Sequence, residues 1–254
     1  MTLRWIIAGF AALLLSGCAS LAPPPPRPAA GLGAGAKVGL LVAVEPSATH
    51  THVGTTVFNN FARDVAMPFD LAAHIRDSLT TQLSATGAQV VTIDASAIAP
   101  DKAGMLVVAR DGAWAVNPEQ AAAFKTLRET QGLSALVVVY GTRTLVSREC
   151  SNMGCTDRNI DKSGLFTRSF LGLTRYFAVP ALEVEVMRLD SLADLTRHEP
   201  LVSLLDAKVK PMPGMSSPKE FGAITPEEFK PIADAIRAFV DELAKTTARA
   251  MAGR

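Results

Sequence analysis

Lys37 to Val44 (KVGLLVAV) is almost continuously apolar, the pattern of a strand covered on both faces. Ala88 to Ile93 (AQVVTI) and Ala135 to Leu145 (ALVVVYGTRTL) read as further strands, the second of them central in its uniformly apolar first half. In Pro180 to Leu189, Leu182, Val184 and Val186 alternate with Glu183 and Glu185, which predicts a strand with one solvated face. Leu201 to Val209 is its expected hairpin partner. Glu45 to Val65 reads as a long polar connection, and Lys210 to Ile224 as a Pro/Met/Gly loop.

Helical spacing appears in three places. Ala72, Ile75, Leu79 and Leu83 share one face of a helix over Pro68 to Thr86, which Gly87 closes. Asn117-Pro118-Glu119-Gln120 starts a second helix, with Asn as N-cap, Pro at the first helical position and Gln120 completing a capping box; it ends at Gly132. Thr225-Pro226-Glu227-Glu228 forms another capping box before the stripe Ile232, Ile236, Phe239, Val240, Leu243, with Pro231 expected to set the first turn apart. Asp111-Gly112 supplies the tight turn of a hairpin over Met105 to Val116. This order predicts an α/β (α+β) fold with a single mixed sheet of about five strands and helices packed on it.

Trp5 to Leu15 is an apolar run too short to span a bilayer, preceded by Arg4, as in a secretory signal. It runs into Leu15-Ser16-Gly17-Cys18, which resembles the lipobox of bacterial lipoproteins. The resemblance implies a signal peptide over residues 1–17, cleavage before Cys18 and lipid on its thiol. With Ala19 and not Asp following, it implies the outer membrane, with the domain facing the periplasm. Residues 18–36, with Pro23 to Pro26 and a Gly/Ala run, read as an extended tether, and 37–254 as one periplasmic domain. Gly31, Gly33 and Gly35 precede a strand, so they fail the context of a dinucleotide loop. Two further cysteines, Cys150 and Cys155, form an even pair suited to a disulfide in an oxidising compartment. The topology over about residues 37–250 is similar to the periplasmic α/β domains of envelope lipoproteins of the curli-secretion and peptidoglycan-synthase-activator type.

Charge and motifs then narrow the function. Lys plus Arg number 25 against 24 Asp plus Glu, which argues against nucleic-acid binding. No G-x-S-x-G, P-loop or H-E-x-x-H is present, and the S-x-x-K match at Ser216 to Lys219 holds a Pro and lies in a loop. Glu183 and Glu185 read as a solvated face. His50 and His52 are weak metal candidates in an exposed loop, needing a third ligand from Asp64, His74 or His198. No catalytic residue and no cofactor are expected, and the chain is read as a non-enzyme.

The insertion from Ser147 to Val179 is the most unusual stretch. Long loops are often functional, and Phe166, Arg168, Phe170, Arg175 and Tyr176 are residue types common at interfaces, so they are the partner-binding candidates. Their alternative is to fold back onto the sheet. The expectation is a lipid-anchored binding or scaffold protein for another envelope component. The alternatives are an envelope hydrolase or metal-binding protein near His50, His52 or His74, and a secretion-pore subunit using 103–116 and 164–189 as membrane hairpins.

Overall fold

A computed structural model of the chain describes residues 24–151 and 154–253. The signal-peptide reading of 1–17 and the lipidation of Cys18 lie outside these residues. In chain order the elements are β1 (Lys37–Ala43), β2 (Ala48–Val53), β3 (Phe61–Val65), α1 (Leu71–Ser84), β4 (Gln89–Thr92), β5 (Val107–Arg110), β6 (Ala113–Val116) and α2 (Ala121–Lys125). After them come β7 (Ala135–Gly141), β8 (Thr144–Ser151), β9 (Gly154–Ile160), β10 (Gly164–Phe170), β11 (Leu173–Val179) and β12 (Leu182–Arg188). The chain closes with β13 (Ala193–Asp194), α3 (Leu201–Asp206), β14 (Lys210–Pro211) and α4 (Pro226–Met251).

The mixed α/β class holds, and the expected five-stranded mixed sheet is there in the order β13-β12-β7-β1-β4. β1 runs parallel to both β4 and β7, and β12 antiparallel to β7. From Val38 to Ala43 β1 is apolar because the sheet is covered on both sides. Val38 and Leu40 pack with α1 and α4, while Leu41 packs with Ile93, Leu127, Leu136 and Val138 on the other face. Gly39 faces that second core, where a Cβ would come within 2.7 Å of the Leu133 side chain.

The helices follow their stripes. α1 buries Leu71, Ile75, Leu79 and Leu83, with Asp70 accepting from the backbone N–H of Ala73. The Thr225/Glu228 capping box forms, but α4 is one helix through Pro231, contrary to the expected separate first turn. The carbonyl that Pro231 leaves without an intrahelical N–H belongs to Glu227, near the solvated end, so the loss there is tolerated. Asp111 and Gly112 take the positive φ values that join β5 to β6.

A second five-stranded sheet, β14-β11-β10-β2-β3, stands beside the first and corrects the single-sheet expectation. Its strands come from segments read as connections: β2 and β3 lie within 45–65, and β10 and β11 within the 147–179 insertion. β2 and β10 are parallel, flanked by antiparallel partners β3 and β11. β8 and β9 make a separate ribbon with Cys150 opposite Cys155, joined as a disulfide. Leu201 to Val209 is not the partner strand of β12; it begins as α3, and β12 pairs with β7 and β13.

The two sheets share helix α4. Phe229 to Leu243 pack against both, together with Leu165 of β10 and Tyr176 and Ala178 of β11. At 26 residues the helix is about 39 Å long. At its far end lie residues 24–36, part of the expected tether. They rest on the domain: Leu32 N–H donates to the Met251 carbonyl at 3.0 Å, and the Arg188 guanidinium to the Ala30 carbonyl at 2.9 Å. No described helix is long and apolar enough to cross a membrane.

Candidate functional site

β2 alternates Ala48, His50 and His52 onto one face of the second sheet, and the parallel register sets Leu165 and Thr167 of β10 beside the two histidines. Both rings reach the same hydroxyl. His50 Nε2 lies 2.9 Å and His52 Nδ1 2.8 Å from Thr167 Oγ1. All three residues are buried, which corrects the exposed-loop reading of His50 and His52. A hydroxyl has one proton, so with neutral rings it donates to one and accepts from the other. Burial, then the neighbouring His52 and Arg63, lowers His50 to about 4. Burial, then Arg168, lowers His52 as well. Phe61 and Phe221 close the cluster, their ring centroids 5.1 and 6.2 Å from His50.

The cluster lacks the metal ligands that sequence would have needed. Asp64 pairs with Lys162 at 3.2 Å, His74 with Asp241 at 2.9 Å, and the His198 ring packs on Trp114. Among the described residues no group of three or more His, Cys, Asp or Glu is placed to hold a metal ion. Ser216 to Lys219 lies in irregular backbone, with the Ser217 hydroxyl 2.8 Å from the Tyr176 hydroxyl, so the S-x-x-K match has no helix to carry it.

Residues 211–226 run over this face and leave three clefts. The largest, about 620 Å³, is lined by Met212, Met215, Glu227 and Pro231. The second, about 400 Å³, lies between Met212 and Met215 and the strand residues Thr174 to Phe177. The third, about 240 Å³, opens beside His50, Arg63 and Gly222.

The strand tips beyond these clefts carry most of the exposed apolar surface. Of seven exposed large apolar side chains among the described residues, five sit on two turns: Val57 (74%), Phe58 (94%), Phe170 (57%), Leu171 (75%) and Leu173 (78%). Thr55 Oγ1 accepts from the Leu171 N–H at 3.3 Å, and Arg168 donates to the Gly54 carbonyl at 2.9 Å, so the turns are neighbours. The Cys150–Cys155 ribbon points toward the same end, because Glu149 pairs with Arg168. Concentration of apolar surface on this scale marks contact surfaces.

Sequence candidates divide accordingly. Phe170 is exposed at this pole, and Arg175 is exposed on β11. Arg168 is held by Glu149 and by backbone carbonyls. Phe166 and Tyr176 are buried and are removed from the surface candidates: Phe166 packs with Val53, Ile160 and Val179, and Tyr176 faces α4. Val57, Phe58, Leu171 and Leu173 escaped the sequence reading. Isolated apolar residues between Thr, Asn and Gly have no periodicity until two separate turns are brought together.

A second titratable group, half-buried, lies on the first sheet. Glu185 was expected on a solvated face, but the 100–105 turn covers it so closely that a Cβ on Gly104 would come 2.5 Å from its carboxyl. Burial, then Asp194 and Glu183, raises Glu185 to about 7. The folded chain thus holds a proton that the unfolded chain releases near 4.5, so Glu185 favours folding as pH falls from 7 toward 4.5 and opposes it above 7. Glu185→Gln is expected to raise unfolding free energy by about 2 kcal/mol at pH 8, allowing for partial exposure, and to leave it unchanged at pH 4. Urea titrations at the two pH values check this. Compared with protein-family profiles, curated proteins and solved structures, the chain matches none of them.

Proposed function

We propose that the protein is an outer-membrane lipoprotein whose periplasmic domain binds or scaffolds another envelope component, docking it at the apolar pole of the second sheet. The observation that carries the reading is the gathering of Val57, Phe58, Phe170, Leu171 and Leu173 on two adjoining turns.

A photo-crosslinking amino acid placed at Phe58 or Leu171 in cells tests the reading, with exposed Asp111 in the β5–β6 turn as control. A discrete adduct from Phe58 and Leu171, absent from Asp111, is the expected result. A lipidated, folded protein giving no adduct from either pole position overturns it.

A further inference from the structure

The pole also has a bare strand edge. β11 is the outer strand of the second sheet except where β14 covers it, and β14 pairs only through Phe177 and Ala178. The Met212 N–H still reaches the Tyr176 carbonyl at 2.9 Å, and there the cover ends. In an antiparallel strand, N–H and C=O of one residue point to the same side, consecutive residues point oppositely, and residues two apart point alike. Since Tyr176 faces β14, Thr174 presents both its N–H and its C=O outward, with no strand beside it among the described residues. The two outer strands of the second sheet are blunted. Pro211 and Pro213 leave β14 without outward donors, and β3 carries Arg63 and Asp64. Next to Thr174 lie exposed Leu173 and the cleft of about 400 Å³ formed with Met212 and Met215. Arg175 is exposed there without an ion-pair partner among the described residues.

We infer that the partner docks by strand addition: an extended polypeptide segment pairs with β11 at Leu173 to Arg175 as a further strand of the second sheet. The inference rests on the docking reading above and names its partner class. Strand pairing supplies affinity through Thr174, and the alternating faces supply selectivity. On one face an apolar side chain enters the Met212/Met215 cleft. On the other an acidic side chain meets Arg175. The segment therefore alternates apolar and acidic residues.

The test uses a phage-displayed library of random decapeptides against the purified, detergent-solubilised protein. Enriched peptides are expected to alternate apolar and acidic residues and to slow exchange of the Thr174 amide when bound. Thr174→Ala, which keeps the N–H, retains them. Thr174→Pro, which removes an outward donor and no ladder bond, weakens them at least tenfold. Arg175→Glu reverses the preference for acidic residues. No enrichment over the Thr174→Pro protein, or binding without protection of the Thr174 amide in the unmodified chain, overturns strand addition. The in-cell adducts separate this from the broader reading. Adducts at Leu171 that persist in Thr174→Pro keep docking and remove strand pairing. Transfer of the label to phospholipid assigns the pole to a bilayer and removes both.

Discussion

Phe166→Ala should lower unfolding free energy by about 3–5 kcal/mol, while Phe170→Ala changes it by less than about 0.5 kcal/mol. The two residues are four apart on β10, share a face of the strand and look equivalent in sequence. Phe166 is 1% exposed and packs with Val53, Ile160, Val179 and Ala181, its ring 5.9 Å from that of Phe177. Truncation there empties a small core beneath the β8–β9 ribbon, which has few other apolar groups to collapse into the space. Phe170 stands at the hairpin tip beyond the last pair with β2. Domains of this size are stable by only about 5–15 kcal/mol, so the first loss is a large share of the total. Urea unfolding followed by circular dichroism measures both variants. On the docking reading, Phe170→Ala loses partner capture with its fold intact, and Phe166→Ala loses capture only as it unfolds. Equal stability for the two would return Phe166 to the surface.

The difference between these two phenylalanines shows where the chain is legible. β1, β7 and α1 stood out because both faces of the first sheet and one face of the helix are lined with Val, Leu and Ile. The turn at Asp111-Gly112 and the capping box at Thr225 were readable because each depends on local chemistry. The second sheet is built differently. β2 reads ATHTHV and buries His50 and His52 by hydrogen bonding to Thr167, so its inward face carries no apolar alternation. The ribbon β8–β9 holds Arg148, Glu149, Asp157 and Arg158, paired with one another or with Arg168. β2 exists because of β10, a partner far along the chain that a single window cannot show. Cys150 and Cys155 were legible for the opposite reason, since their pairing needs only a short turn between two strands. The apolar pole depends on the same long-range pairing, so it was invisible as a site although Phe170 was singled out.

Between pH 7 and 5, two substitutions should tilt the stability of the chain in opposite directions. His50 is lowered to about 4 by burial and by the charges of His52 and Arg63. Unfolding therefore takes up a proton below the ordinary histidine value of about 6.5, and stability falls as pH falls through that window. His52 is lowered too and acts in the same direction. Glu185, raised to about 7, acts in the reverse direction over almost the same interval. His50 and Glu185 each contribute about 2 kcal/mol by pH 5, so these two largely offset each other, and His52 adds in the direction of His50. Glu185→Gln removes the compensating proton, and stability should then drop by about 2 kcal/mol on going from pH 7 to pH 5. His50→Gln should make stability rise over the same interval by a similar amount. Thr167→Val takes away the hydroxyl between the rings and leaves two buried nitrogens without their partner, costing about 2–4 kcal/mol at pH 7. Denaturant titrations of the three variants at pH 7, 6 and 5 separate these effects. The same slope in Glu185→Gln and His50→Gln would mean that neither group holds its proton as its surroundings require. Opposite slopes would establish that burial on the two sheets sets opposing proton balances: a neutral histidine pair in the second sheet, and a protonated carboxyl under the 100–105 turn of the first.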